Sequence, residues 1–210
     1  MKIERIRPEE IERRSFEIIT DLLGEQQPPD ETAHIVKRVI HTTADLEYAE
    51  TLYFSENAAQ ILSQALAEGA HIVTDTQMAL SGINKKTLAA FGGQVHCFMA
   101  DEDVARQARE RGVTRGCVSM EKAATLSVPL IFAIGNAPTA LLRLDELVRE
   151  GTVRPRLIIG VPVGFVNVVQ SKERIMNAGV PCIVAKGRKG GSNVAAAIVN
   201  AGLYRVTRAE

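Results

Sequence analysis

The sequence predicts a three-layer α/β/α fold, in which a doubly wound, mainly parallel sheet of about five strands follows an N-terminal helical segment. The first observation is a set of short apolar runs that alternate with helical patterns, at residues 71–74, 95–99, 129–134, 157–159 and 181–185. Such continuous runs are typical of strands buried on both faces, which form parallel sheets covered by helices. The second observation is size, because 210 residues with 46% hydrophobic content suffice for one well-buried domain. We therefore expect a single domain over residues 1–210.

Two helices are predicted before the first strand. Residues 8–23 have Pro8 in the first turn, an apolar side, and Gly24 after the last turn. Asp30 is placed to cap the second helix. This second helix carries an apolar stripe formed by Ile35, Val36, Val39 and Ile40.

The rest of the chain is assigned from the same patterns. Residues 46–54 are ambiguous between a helix and a short strand, and they offer apolar side chains that could pair across a two-fold axis. Ser55 is predicted to cap a helix that ends at Gly69. Further helices are expected at roughly residues 85–91, 102–111, 119–126, 139–150, 166–177 and 193–201.

Composition excludes several classes of protein. Lys+Arg and Asp+Glu balance at 25 each, so no overall field attracts nucleic acid. Cys97, Cys117 and Cys182 lie far apart, which argues against a disulfide framework and a structural zinc site. The N-terminus is charged, and no run reaches the roughly 18 apolar residues of a membrane span. We expect a cytoplasmic protein that binds neither nucleic acid nor membrane.

His41 is the candidate proton donor. On a helical wheel it lies nearly opposite the apolar stripe of the second helix, so its imidazole should point into a cleft or solvent. The negative end of a helix favours the imidazolium form, which gives His41 a physical reason to act as an acid. A surface histidine without a role remains an alternative from spacing alone.

Ligands of doubly wound sheets bind beyond the carboxyl ends of the strands, so the loops there are the candidate site. These loops cover residues 75–82, 135–139, 160–167 and 186–192. Pro138, in a first helical turn, is expected to leave backbone N–H groups facing the crevice, and the last two loops are glycine-rich, as in anion sites. Neither G-x-x-x-x-G-K-[ST] nor G-x-G-x-x-G spacing occurs, so nucleotide binding is weakly supported. Arg115 and Arg188 suit carboxylates instead, with expected apolar walls from Met78, Val161, Val163 and Phe165.

Several blocks along the chain together resemble the precorrin-8X methylmutase family of corrin biosynthesis. They are R-S-F-E-I-I at residues 14–19, V-I-H at 39–41, A-I-G-N-A-P-T-A-L at 133–141, G-V-P-V-G-F-V at 160–166 and G-R-x-G-G-S at 187–192. The resemblance implies an isomerase that moves a methyl group from C-11 to C-12 of a tetrapyrrole-derived macrocycle bearing many carboxylates. The product is hydrogenobyrinic acid, or cobyrinic acid in the cobalt form. No cofactor is implied, and any cobalt arrives inside the substrate.

The resemblance also assigns residues. It places the catalytic histidine at His41, and a turn position that is threonine in some relatives at Asn84, which can still donate a hydrogen bond. A homodimer is implied, with each site completed by the partner subunit. The resemblance and the positions of the strand-end loops together predict the substrate-binding residues. These are Arg14, Ser15, Asn84, Arg115, Asn136, Thr139, Gly164, Arg188, Gly190, Gly191 and Ser192.

Two other functions remain open from the sequence. A corrinoid-binding carrier would use the same loops without turnover, and it would need no proton donor at the ring. An enzyme acting on a phosphorylated small molecule is supported only by the glycine-rich helix starts. His34, His71 and His96 lie in a predicted helix or buried strands and are expected to be structural.

Overall fold

A computed structural model describes residue 4 and residues 6–207. After a short 3-10 helix, Pro8–Glu10, the first half of the chain forms α1 Ile11–Leu23, α2 Asp30–Thr43, α3 Tyr48–Thr51, β1 Leu52–Phe54, α4 Ala58–Ala67, β2 His71–Thr74, α5 Gln77–Gly82, α6 Lys85–Ala90, β3 Val95–His96 and α7 Glu102–Arg111. The second half forms α8 Arg115–Ala123, β4 Leu130–Ile134, α9 Pro138–Arg149, β5 Leu157–Gly160, α10 Val168–Met176, β6 Cys182–Ala185 and α11 Ser192–Thr207.

The six described strands form one sheet in the order β1-β6-β5-β4-β2-β3. Strands β2 to β6 are mutually parallel where they pair, and β1 runs antiparallel to β6. The parallel strands alone have the flavodoxin-like order of a doubly wound fold, in which the order of strand addition reverses between β2 and β4. The predicted fold class is therefore confirmed.

Two helical layers cover the sheet. Alternate strand residues face opposite ways: Ile131 and Ile159 pack with α1, α2, α4 and α11, whereas Phe132 and Ile158 pack with α8, α9 and α10. This period of two places the apolar strands at the centre of three layers.

The ambiguous segment at residues 46–54 contains the extra strand. It forms α3 and then β1, so the sheet has six described strands where about five were expected. Tyr48 and Leu52 are buried within their own chain, so these two are not available to pair across a two-fold axis.

Several predicted boundaries were wrong for physical reasons. Asp30 lies in the first turn of α2 and makes no capping hydrogen bond, because Pro29 holds the cap position. Ser55 does not cap α4, since its hydroxyl accepts the N–H of Cys182. Helix α11 runs past the expected end at residue 201 to Thr207, and Gly202 within it packs so closely against Leu62 and Leu66 that a Cβ would not fit.

Two further helices differ from the expectation. Residues 77–82 were expected to be loop and form α5, whose cap is the Thr76 hydroxyl accepting the N–H of Ala79. Helix α8 begins at Arg115, four residues before the expected start, because the Thr114 hydroxyl caps it. Both starts follow the rule that threonine before a helix accepts a backbone N–H.

Candidate active site

The loops at the carboxyl ends of the parallel strands are joined by hydrogen bonds into one surface. This surface includes the point between β2 and β4 at which the strand order reverses, where ligands bind in doubly wound folds. Asp75, directly after β2, is 1% exposed and crosses this point. Its carboxylate accepts the N–H groups of Gly135 at 2.8 Å, Asn136 at 2.8 Å and Ala137 at 2.5 Å.

This arrangement corrects the expectation that these N–H groups face a ligand. The Asp75 carboxylate already occupies them, so they hold the β4–α9 loop instead of a substrate anion. Burial raises the pKa of Asp75, and the three N–H groups oppose that rise. The Asn136 side chain remains exposed at the surface and is free to meet a substrate.

The β6–α11 loop lies against the loop after β5. The N–H of Gly191 donates to Val161 O at 2.8 Å, and the N–H of Gly164 donates to Arg188 O at 3.2 Å. Gly190 has φ +156°, and a Cβ there would overlap the Val161 carbonyl. The two glycine-rich loops therefore come together as expected, with glycine required by their close approach.

A buried lysine holds this loop from beneath. Lys172 of α10 is 1% exposed, and its Nζ donates to Gly187 O and to Lys189 O, each at 2.8 Å. Burial lowers the pKa of the Lys172 ammonium to about 8. The ammonium of Lys172 thus fixes the loop backbone through two carbonyl groups, and it forms no ion pair with a carboxylate among the described residues.

Ser192 and Asn84 connect α11 to the segment after β2. The hydroxyls of Ser192 and Thr76 are 2.7 Å apart. The N–H of Asn84 donates to Asn200 Oδ1 at 2.8 Å, and Asn84 Oδ1 accepts the N–H of Thr87 at 3.1 Å. The Asn84 oxygen therefore caps α6, and its amide NH₂ is left to donate elsewhere.

Arg115 and Thr139 lie together beside the β4–α9 loop. The hydroxyls of Thr114 and Thr139 are 2.8 Å apart, and this bond holds the start of α8 against the start of α9. The side chains of Arg115 and Arg188 are exposed, and neither guanidinium forms an ion pair with a described residue. Both cations are therefore available to an anionic ligand.

His41 lies in the last turn of α2 with its side chain exposed, as expected. The segment after α2 is tied to the β6–α11 loop, because Lys189 Nζ contacts Asp45 at 2.6 Å and Glu47 at 2.5 Å. The end of the His41 helix is thereby brought to the same edge of the sheet as the glycine-rich loops.

Arg14 and Ser15 lie on α1, which packs against α2. The Arg14 guanidinium pairs with Glu4 at 3.1 Å, and the Ser15 hydroxyl donates to Ile11 O at 2.9 Å. The next residue, Phe16, stacks on the His41 ring, which brings this part of α1 beside the end of α2. Arg14 is half-buried and paired with carboxylates of its own segment, whereas Arg115 and Arg188 are exposed.

The family profile for precorrin-8X methylmutase matches residues 10–205. The chain belongs to the precorrin-8X methylmutase family. The cobalt-precorrin-8 methylmutase of Salmonella typhimurium is 47% identical over 96% of this chain and 97% of its own length. The precorrin-8X methylmutase of Pseudomonas aeruginosa is 38% identical over 91% of this chain and 92% of its own. A solved structure of precorrin-8x methyl mutase from Thermus thermophilus has a TM-score of 0.86 and 36% identity, covering 95% of this chain and 98% of that one.

Family membership makes this chain an isomerase of cobalamin biosynthesis. Among the described residues of the methylmutase, no group of three or more His, Cys, Asp or Glu side chains could hold a metal ion. None of its described helices is both long and apolar enough to cross a membrane.

The apolar walls of the methylmutase site differ in one residue from the expectation. Met78 is 70% exposed, Phe165 is 84% exposed and Val163 is also exposed, so these side chains can face a ligand. Val161 is fully buried and its side chain belongs to the apolar core, while its carbonyl lies against Gly190.

The other histidines of the methylmutase lie elsewhere. His71 Nδ1 and His96 Nε2 are 2.9 Å apart within the sheet, and burial, with a smaller effect of His71, lowers the pKa of His96. Burial also lowers the pKa of His34, whose side chain borders a groove of about 870 Å³ at the opposite edge of the sheet. This groove is formed by the start of α2, by α4 and by the end of α11, away from the glycine-rich loops.

Three residues of the methylmutase site were not identified from the sequence. Asp75 could have been suspected, since it is an acid directly after a buried strand. Lys172 interrupts the buried side of α10, where Val168, Ser171 and Ile175 are its buried neighbours. Phe16 gave no signal beyond its place in the R-S-F-E-I-I block.

Proposed function

We propose that this methylmutase moves the methyl group at C-11 of a corrin precursor to C-12, with His41 as the general acid. The observation that carries the proposal is the exposed imidazole of His41 at the edge of the sheet where the glycine-rich loops lie. Arg115 and Arg188, which form no ion pair within the described part of the chain, lie at the same edge. Cobalt-precorrin-8 is the substrate we favour, because the Salmonella typhimurium relative named for it is 47% identical and the Pseudomonas aeruginosa relative named for precorrin-8X is 38% identical. Turnover would give cobyrinic acid from the first and hydrogenobyrinic acid from the second.

The proposed chemistry needs one proton donor. The bond of the methyl group to C-11 breaks as its bond to C-12 forms, with no gain of atoms or electrons. Protonation of a ring nitrogen or an adjacent carbon by His41 draws electrons toward the migrating terminus. Because substrate and product are isomers, the proton returns before product leaves. General acid catalysis of this kind contributes about 10²- to 10⁴-fold.

The proposed binding of the macrocycle uses both charge and apolar surface. Arg115 and Arg188 would pair with substrate carboxylates, and Met78, Val163 and Phe165 would face the ring. The groups proposed to complete the contacts belong to Ser15, Asn84, Asn136, Thr139, Gly190 and Ser192. Gly164 and Gly191 were also expected to bind substrate, but their N–H groups already donate to Arg188 O and Val161 O, so these two glycines hold the loops together instead. Arg14 is the weakest member, because its guanidinium already pairs with Glu4 and Glu17.

We also propose that the enzyme needs no cofactor of its own, that cobalt enters as part of the substrate, and that the protein works in the cytoplasm as a homodimer. The three cysteines are unpaired, as is usual in that compartment. Exposed Phe165, Val166 and Met78 at the edge of the site support a partner subunit there, since exposed apolar surface often marks an interface.

The proposal is tested by incubating the protein with cobalt-precorrin-8 and, separately, with precorrin-8X while the absorption spectrum is recorded. We expect conversion to the corrin spectrum, faster with the cobalt form. His41→Asn and His41→Ala should bind product but lose most turnover, whereas Thr42→Ala, next to His41 on the same exposed turn, should keep it. Tight binding without conversion of either substrate would identify a carrier instead, and full turnover by His41→Ala would exclude His41 as the acid.

A further inference from the structure

The His41 imidazole stacks on an aromatic ring. The rings of His41 and Phe16 stack with centroids 5.5 Å apart and an interplanar angle of 20°. Among the described residues, no hydrogen bond reaches either nitrogen of the His41 ring. A catalytic histidine is more often oriented through the nitrogen that does not react, by a carboxylate or a carbonyl. Here the stacking ring is the contact that restricts the imidazole.

Phe16 is itself held in place by a cation. The guanidinium carbon of Arg38 lies 4.9 Å from the centre of the Phe16 ring and 5.1 Å from the centre of the Tyr204 ring. The Arg38 side chain is only 13% exposed and forms an ion pair with Glu12 of α1. These contacts link Tyr204 of α11, Arg38 of α2 and Phe16 of α1 in one stack that ends at His41.

The surroundings of Phe16 distinguish it from a core residue. Its side chain is half-buried and is not part of either large core cluster, although Ile19 on the same helix is. Loss of the Phe16 ring would therefore leave the apolar core intact. Its ring contacts the His41 imidazole and the Arg38 guanidinium. Both groups are polar, so the contact restricts their orientation and contributes little burial of apolar surface.

We propose that Phe16 is the positioning residue of His41, and that its ring holds the imidazole in the direction from which the proton reaches the substrate. This inference rests on the proposed role of His41 as the acid. A histidine without a hydrogen-bonded partner can rotate about both side-chain torsions at an exposed helix end. Stacking removes part of this freedom before the substrate arrives, and catalysis by a bound acid depends strongly on such alignment.

The test compares Phe16→Leu, which removes the ring, with Phe16→Tyr, which keeps it. Leu22→Ala, at an exposed position of the same helix, is the control. In single-turnover experiments with the cobalt form of the substrate, Phe16→Leu should lower the rate constant of the bound complex by about 10- to 100-fold, the scale of a misaligned catalytic group. Product affinity should stay within about twofold, and Phe16→Tyr and Leu22→Ala should keep the wild-type rate. Phe16→Met offers a second ring-free variant.

Two further measurements separate positioning from packing. The NMR shifts of the His41 ring protons should move in Phe16→Leu and stay close to the wild-type values in Phe16→Tyr, since stacking gives a ring-current shift. In the His41→Ala background, Phe16→Leu should cause no further loss of rate, because the two residues act through one interaction.

The outcomes are distinguishable from failure of the proposed function. A wild-type rate in the ring-free variants, or an equal fall in rate with and without His41, would overturn the role of Phe16 while leaving His41 as the acid. Full turnover by His41→Ala would instead refute the general-acid proposal, and the positioning role would fall with it.

Discussion

The Asp75 carboxylate accepts the backbone N–H of Asn136 at 2.8 Å, so the loop after β2 holds the loop after β4 across the reversal point of the sheet. An anionic side chain thus completes the floor of a site proposed to bind an anionic substrate. Three N–H groups fix the orientation of this carboxylate and partly neutralise its charge.

Replacement of Asp75 by Asn should destabilise the protein. The amide offers one acceptor oxygen in place of two, and its NH₂ would face a backbone N–H, leaving a buried donor without an acceptor. We expect the free energy of unfolding to fall by about 1–3 kcal/mol in denaturant titrations. Asp30→Asn, the same change at an exposed position without a side-chain hydrogen bond, should have little effect. Equal stability of both variants would show that the three N–H groups do not depend on the carboxylate.

Arg115 and Arg188 should contribute to ring affinity. Changing either residue to Ala should weaken product binding by about 1–3 kcal/mol, the scale of a lost charged hydrogen bond, without loss of stability. Titration calorimetry with the product measures this. Arg154→Ala is the control, because Arg154 is also exposed but precedes β5 at the opposite edge of the sheet. If the site variants bind as tightly as the control, the two arginines do not contact the substrate.

Lys172 should make stability depend on alkaline pH. Burial lowers the pKa of its ammonium from 10.5 to about 8, so between these values the unfolded chain binds a proton that the folded chain does not. Stability therefore rises with pH across this interval. Relative to Lys172→Met, the wild type should gain about 1–3 kcal/mol between pH 7.5 and 10 in denaturant titrations.

Lys85→Met is the matched control for Lys172, because Lys85 is exposed on α6. The stability difference between wild type and this variant should stay constant over the same pH range. A constant difference for Lys172→Met as well would mean that its ammonium is not desolvated in the folded protein.

The pH dependence of turnover should follow the proposed acid. The rate constant of the bound complex should fall as pH rises, because an acid that has lost its proton cannot donate one to the ring. Single-turnover absorbance measurements from pH 5.5 to 9 test this. A rate that rises with pH would require a general base in place of the acid.

The assembly state should be a homodimer. Static light scattering at micromolar concentration should give twice the chain mass of 22.8 kDa, and activity should depend on the dimer if a partner completes the site. A fully active monomer would refute the homodimer, and the exposed side chains of Phe165 and Val166 would then not mark a subunit interface.

The positions of the site loops could be predicted from the sequence because apolar strands and glycine-rich turns have local patterns. The bond from Asp75 to Gly135 could not, since it spans 60 residues and depends on β2 lying beside β4. The expected free N–H groups at residues 135–137 were wrong for the same reason. A pattern shows where donors occur along the chain but not which acceptor the fold brings to them.

Two other features required the packing of helices to be known. His41 was identified because its own helix shows which side is apolar. Its contact with Phe16 depends on how α1 crosses α2, which the periodicity of either helix alone does not determine. The depth of Lys172 depends on the layer that α10 joins, and a lysine in an amphipathic helix is usually at the surface.

The edge strand β1 has a consequence for how the chain is made. Leu52 pairs with Ala185, Ser55 accepts the N–H of Cys182 across 127 residues, and the apolar stripe of α2 packs with α11. The N-terminal helices thus leave the ribosome long before the elements that cover them, and contacts of such long sequence separation form late. The helix that bears His41 reaches its native contacts only after α11 has been synthesised, so a nascent chain that still lacks α11 cannot hold His41 at the proposed site.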